Sequence, residues 1–212
     1  MLRRRKDRAL AVPTQARSRY RMEGYRYSPV LDPCGGRRSR LGQRRFDETL
    51  TLVAGRRFRK VLEVGCEEGR MLERLAPLCD GALGVDLSEG AVRAARKRLK
   101  DRPHLRFLAG NFLTLELPGD FDLVVCVHVI TDFEPLIQRR LVERMRERLA
   151  PGGLLLCTVT DKPFALFNPA AFVRLLRSCG FQVLARRSFD TSVPKSVFGN
   201  RAILARKAKA SA

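Results

Sequence analysis

From residue 60 onward, short apolar runs alternate with amphipathic runs of helical period, and this alternation limits the fold more than any other feature. "KVLEV", "ALGVD", "LRFLA", "FDLVVCVHV" and "GGLLLCTVT" are nearly continuously apolar, as strands buried on both faces of a parallel sheet are. Between them lie helical stretches. "GRMLERLAPLC" puts Met71, Leu72, Leu75 and Leu78 on one face, and Ser88 is placed to cap a helix with the stripe Ala91, Val92, Ala95, Leu99. "PLIQRRLVERMRERLAPGG" spaces Ile137, Leu141, Met145 and Leu149 by four, with Pro151 and Gly152–Gly153 as the stop. A last helix in "NPAAFVRLLRSCG" precedes the strands "FQVLARR" and "NRAILARK", which have no helix between them. The pattern predicts an α/β, Rossmann-like, doubly wound sheet, mostly parallel with an antiparallel edge strand.

In such a sheet the ligand lies beyond the carboxyl ends of the strands, at the switch point beside the first one. "VLEVGCEEGR" follows that strand here. Gly65 and Gly69 let backbone approach a ligand closely, but Glu67 and Glu68 stand where a dinucleotide loop would carry a third glycine. Asp86 ends the second strand, at about the ~20-residue offset where a carboxylate accepts ribose hydroxyls. A ribose is therefore expected, whereas a diphosphate facing Glu63, Glu67 and Glu68 is not. S-adenosyl-L-methionine meets both conditions: it has adenosine, no phosphate, and a cationic sulfonium and ammonium.

Composition bounds the setting. The 212 residues suit one domain-sized core, without an apolar run near the length of a membrane-spanning helix. Six cysteines form no C-x-x-C pair, so reduced thiols in a cytoplasmic protein without a metal site are expected. The formal net charge is +20, and residues 1–60 hold 18 Lys/Arg against 5 Asp/Glu. Residues 1–30 are expected to be a basic, mobile segment, since "ALAV" is too short for a signal-peptide core. Its charge admits an RNA partner, although plain solubility explains it equally. Residues 31–207 are expected to form the domain, with 31–57 covering the site and Tyr20, Tyr25 and Tyr27 as a lid.

"VLEVGCEEG", "LGVDLS", "AGNF", "FDLVVCVHVI" and "LAPGGLLL" together resemble the class I S-adenosylmethionine-dependent methyltransferases over about residues 46–206. Upstream, "DPCGGRRSRLGQRRFDETL" is similar to the entry segment of the nodulation protein S-like family, close to D-P-W-G-Y-R-T-S-W-Y-E-R-R-K-Y. Asp32, Pro33, Gly35, Arg37, Ser39 and Arg44 match in register. Cys34, Gly36, Arg40 and Leu41 replace aromatic residues that could stack on a sugar. That family N-methylates a deacetylated chitooligosaccharide.

The resemblance implies that Glu63, Gly65, Cys66, Glu67 and Gly69 wrap the methionine end, with Asp86 on the ribose and Leu87 beside adenine. Asn111 is then a contact to the adenine amine, or else a turn residue. Phe112 is its apolar neighbour, and Val127 lines the cofactor side of the fourth strand. His128 is the candidate general base at that strand's end, where the similar family has Glu. Asp132 is a second catalytic candidate, and Asp161 a weaker one. The expected function is methyl transfer to an N or O atom of a small-molecule acceptor, with an anionic one favoured by Arg37, Arg38, Arg40 and Lys162. An RNA methyltransferase and a non-catalytic cofactor-binding regulator are the alternatives. No Asn-Pro-Pro-Tyr-type motif follows the fourth strand, where "VHVITDF" stands instead.

Overall fold

The computed structural model describes residues 40–161, 168–190 and 199–208. Seven strands form one sheet: β1 (Phe58–Val64), β2 (Cys79–Asp86), β3 (Leu105–Ala109), β4 (Phe121–Val127), β5 (Leu149–Asp161), β6 (Phe181–Asp190) and β7 (Gly199–Lys207). Their order is β3-β2-β1-β4-β5-β7-β6. β1 to β5 are mutually parallel, and β7 runs antiparallel to both neighbours. The antiparallel strand therefore sits one place in from the edge, because β7 slots between β5 and β6. The order reverses between β1 and β4, which makes the carboxyl ends of these two strands the switch point.

Two apolar layers flank the sheet. Side chains alternate along a strand, so β1 sends Val61 to one layer and Leu62 and Val64 to the other. The first layer packs under α1 (Arg40–Leu50), α2 (Arg70–Leu75) and α3 (Glu89–Arg98), with Phe46, Leu72 and Val92 buried. The second packs under α4 (Pro135–Arg148) and α5 (Pro169–Ser178), with Met145, Phe172 and Leu176 buried. Ser88 caps α3 by accepting the Ala91 N–H at 3.3 Å, as its position suggests, and Asn168 caps α5 through Ala170 and Ala171.

Two boundaries differ from the sequence expectation, and proline explains both. The helix expected to run through Cys79 gives way at Ala76 to a 3-10 turn containing Pro77, and Cys79 opens β2. Leu149 leaves the helical stripe to become the first residue of β5, because Pro151 disfavours helix at Ala150 and Gly152 takes φ +75°. A register irregularity beside Phe121 absorbs the extra residues.

α1 is anchored beside the end of β5. Thr49, fully buried, donates its hydroxyl to the Arg45 carbonyl at 2.6 Å and shares a hydrogen bond with the Thr158 hydroxyl at 2.7 Å. Arg74 of α2 reaches Asp47 at 2.9 Å and Gln43 at 2.6 Å, and Arg187 of β6 reaches Glu48 at 2.7 Å. The part of the covering segment within 40–57 thus packs on the sheet. Arg37, Arg38, Lys162 and the three tyrosines lie outside the described residues, as does the Arg40 side chain. Among the described residues no helix is long and apolar enough to cross a membrane.

Candidate active site

The loop after β1 is held from beneath. Gly65 and Cys66 both donate N–H bonds to the Val85 carbonyl, at 2.8 and 3.1 Å, so the turn hangs on β2. Gly65 and Gly69 have φ of +77° and +74°, a region that glycine adopts without cost. A Cβ on Gly65 would lie 2.2 Å from Val129 Cγ2, and one on Gly69 would lie 2.9 Å from Leu99 Cδ1. Glycine at 65 is therefore required by the loop after β4 before any ligand is considered. Glu67 follows at φ +45°, a strained backbone for glutamate.

Three carboxylates converge here. Glu63 is buried at 3% exposure at the end of β1 and accepts the Leu72 N–H, an otherwise orphaned donor at the start of α2. Its Oε2 is buried and has no hydrogen-bond partner among the described residues. Burial, with Glu67 and Asp86 nearby, pushes its carboxyl well above the usual carboxylate range. Asp86 accepts the Glu67 N–H at 2.9 Å on one oxygen and the Ser88 N–H at 2.8 Å on the other. A carboxylate oxygen can accept more than one hydrogen bond, which is the chemistry ribose hydroxyls require. Glu68 plays a different part from the one its position suggests. It pairs with Arg70 at 3.1 Å.

The remaining candidates fall into two groups. Leu87, beside Asp86, is an exposed apolar side chain at 46%, open to a flat ring. Gly110 N–H bonds the Asp86 carbonyl at 2.8 Å, which brings Asn111 next to it. Asn111 does the work of a turn residue: its Oδ1 accepts the Leu113 N–H at 3.0 Å, and an amide oxygen can accept a second bond of the kind an adenine amine would donate. Phe112 needs correction. Its ring is 5% exposed, sits in the core under α4 and has Arg144 stacked 5.9 Å away, so it is packing more than adenine wall. Val127 is likewise a core side chain. Cys66 is a small residue behind the loop, with Sγ 2.8 Å from where a Gly84 Cβ would stand. Burial, then the nearby acids, pushes its thiol well up and leaves it inert.

His128 immediately follows β4, half-buried, with φ +57° and its N–H bonded to the Thr158 carbonyl at 2.9 Å. A left-handed histidine at a sheet switch point is a strained residue of the kind that clusters at functional sites. Asp132 ends a short 3-10 turn, Ile130–Asp132, and its side chain lies outside the described set, as does that of Asp161. Among the described residues no cluster of His, Cys, Asp or Glu could hold a metal ion.

Two contacts were not anticipated from sequence. Val129 closes over Gly65, joining the two halves of the switch point. Arg144 of α4 donates Nε to the Phe112 carbonyl at 2.7 Å and a terminal nitrogen to Leu115 at 2.6 Å, and Arg148 reaches the Leu117 carbonyl at 2.7 Å. These arginines hold the loop that carries Asn111. Their spacing of four on α4 was the only signal available.

A family model described as a methyltransferase domain matches residues 61–153. Nodulation protein S of Sinorhizobium fredii is 31% identical over 93 residues, 43% of this chain and 43% of that protein. A ubiquinone biosynthesis O-methyltransferase of Methylococcus capsulatus is 30% identical over 145 residues, 66% of this chain and 56% of that one. The chain thus spans under half the length of the nodulation relative. The crystal structure of the N-methyltransferase NodS from Bradyrhizobium japonicum, in complex with S-adenosyl-L-homocysteine, superposes with a TM-score of 0.72 at 22% identity, covering 84% of this chain and 93% of that one. The chain thus carries a methyltransferase domain over residues 61–153, shares the fold of NodS, and resembles the class I S-adenosylmethionine-dependent methyltransferases, nodulation protein S among them.

Proposed function

We propose that the chain transfers a methyl group from S-adenosyl-L-methionine to a nitrogen or oxygen atom of a small-molecule acceptor, at the mouth between the ends of β4 and β5. One observation carries the reading: the buried Glu63 carboxyl, with an unsatisfied oxygen, stands with Glu67 and Asp86 beneath a glycine turn at the switch point. Such a site favours a ligand with cations at one end and ribose hydroxyls at the other, and disfavours a diphosphate. The residues fit the cofactor. Glu63 and the backbone of 65–69 would hold its ammonium-bearing end, and Asp86 the ribose, while Leu87 and Asn111 would flank the adenine.

When bound, the cofactor supplies a methyl group on a sulfonium sulfur. The bond from carbon to the acceptor forms as the carbon–sulfur bond breaks, and the sulfur keeps the electron pair as a neutral thioether. The chain's part is alignment, because holding nucleophile and methyl in line supplies much of the acceleration. In this reading His128, at the end of β4, takes the proton the acceptor loses. The relative in ubiquinone biosynthesis is named an O-methyltransferase and NodS an N-methyltransferase, which supports either acceptor atom.

The test is a labelled-methyl screen of a metabolite extract with the full chain, with and without nuclease. A labelled small molecule resistant to nuclease supports the proposal, and label lost to nuclease transfers it to RNA. His128→Asn separates the roles of that residue, since Asn tolerates the left-handed backbone. A base role predicts a loss of about 10²-fold or more in turnover with adenosylhomocysteine affinity kept. Turnover at the wild-type rate removes the base.

A further inference from the structure

β3 is an edge strand, and its free side is unlike an ordinary solvated edge. The Ala82 N–H takes the His104 carbonyl and the Gly110 N–H takes the Asp86 carbonyl, so even-numbered residues of this stretch face β2. By alternation the backbone groups of Leu105, Phe107 and Ala109 face outward. Beside that row runs a groove of about 340 Å³, lined by Arg96, Lys100, Arg102, Arg106 and Leu108 over a floor of Leu99 and Phe107. All four cations are exposed, and among the described residues none is in an ion pair, unlike Arg93 with Glu89 or Arg98 with Glu73. Asp101 is the one carboxylate between residues 90 and 110. Leu108 adds an apolar side chain at 38% exposure.

Arg96 does something specific: its guanidinium donates to the outward Phe107 carbonyl at 2.6 Å. It shields the one ladder acceptor at the middle of the edge, a familiar protection against strand pairing, and it can swing from that carbonyl to a carboxylate.

We infer that the free edge of β3 docks an acidic, extended peptide segment of a protein partner, which adds as an eighth strand. The charge complementarity comes from both faces of that added strand. Arg96 of α3 and Lys100 of the turn that follows it stand on one side, and Arg106, which points to the opposite face of β3 from Phe107, stands on the other. Arg102 guards the start. A carboxylate at successive positions of the incoming strand therefore meets a guanidinium or ammonium whichever way it points, while the Phe107 N–H and carbonyl and the Ala109 N–H supply the ladder. Nucleic acid fits less well, because the one aromatic ring here, Phe107, is 5% exposed and gives bases no face to stack on. The site lies on α3 and β3, on the outer side of the strand from the methyl-transfer centre, and does not depend on what the acceptor is.

The full chain is titrated with the labelled heptapeptide Glu-Val-Glu-Val-Glu-Val-Glu, with the same peptide carrying proline at its centre, and with a uridylate decamer. Binding is followed by anisotropy and by amide exchange at Phe107 and Ala109. Docking as a strand requires that the alternating peptide protect both amides. It also requires about tenfold weaker binding of the proline peptide, since proline removes a ladder donor. Arg102→Glu/Arg106→Glu should weaken the alternating peptide about tenfold. The exposed, milder pair Arg102→Gln/Arg106→Gln repeats the test if the reversal of charge disturbs folding. Unchanged exchange at the two amides, equal binding of the proline peptide, or equal binding by the charge-reversed variant would overturn the inference. Tighter binding of the uridylate decamer with protection of the same amides would reassign the edge to nucleic acid.

Discussion

Substituting Gly65 with alanine tests the geometry of the switch point through a cost that can be worked out. The added methyl must sit at φ +77°, where an L-residue loses about 1–2 kcal/mol. Its carbon would also lie 2.2 Å from Val129 Cγ2, an impossible approach, so Val129 and the turn after β4 must move. Overpacking of that kind costs about 1–3 kcal/mol, and the two effects together make about 2–5 kcal/mol. The two parts separate in a double-mutant cycle. With Val129→Ala the obstructing methyl is gone, so Gly65→Ala in that background should cost only the backbone share, about 1–2 kcal/mol. Urea unfolding followed by far-ultraviolet circular dichroism, with unchanged m-values, measures each corner. Costs that add within about 0.5 kcal/mol would show that Val129 does not close over Gly65, and the joined switch point would be refuted. Adenosylhomocysteine affinity gives the second reading. The methyl stays in the ligand's approach, so affinity should remain low in the double variant even as stability returns.

Two further outcomes rest on titration and on the loop anchors. Glu63 titrates above its unfolded value, so as pH rises past the ordinary glutamate range the unfolded chain gives up this proton first and the folded state loses relative stability. Glu63→Gln should therefore gain in Tm over the parent between pH 5 and pH 8, and a constant difference across that range (about 3 pH units) would refute the raised carboxyl. A cationic ligand beside Glu63 should draw the proton off, so calorimetry in buffers of differing ionisation enthalpy should show release on binding, reduced in Glu63→Gln. Arg144→Met removes the two charge-assisted bonds to Phe112 and Leu115 and should cost about 2 kcal/mol in urea unfolding, with weaker adenosylhomocysteine binding. Unchanged affinity would detach the loop from the cofactor.

The sheet was legible because its strands are buried on both faces and so read as unbroken apolar runs, and because Ser88 and the glycines mark the ends of elements chemically. What was not legible depends on neighbours distant in sequence. The placement of β7 between β5 and β6 follows from which edge is free, and local pattern does not record that. Phe112 reads as an apolar neighbour of a ligand, but Met145 and Arg144 of α4 decide that it is core. Glu68 looks like part of the acidic loop until Arg70, two residues on, turns back to pair with it. The left-handed backbone of His128 was not legible, since histidine enters that region more often than most residues but still rarely, and the Thr158 carbonyl that bonds its N–H is distant in sequence. The convergence of Glu63, Gly65 and Asp86 was readable because all three lie at the carboxyl ends of β1 and β2, beside the switch point.

The cofactor assignment makes its sharpest claim in a calorimetric comparison of adenosylhomocysteine with NAD on the full chain. In the proposed site both ligands would bring an adenosine to Asp86, and only NAD would bring a diphosphate to Glu63 and Glu67. The assignment predicts one site per chain for adenosylhomocysteine with a Kd of about 1–100 μM, weakened in Asp86→Ala, and no measurable heat from NAD at about 1 mM. Saturable binding of NAD at comparable affinity, or adenosylhomocysteine binding unaffected by Asp86→Ala, would contradict it.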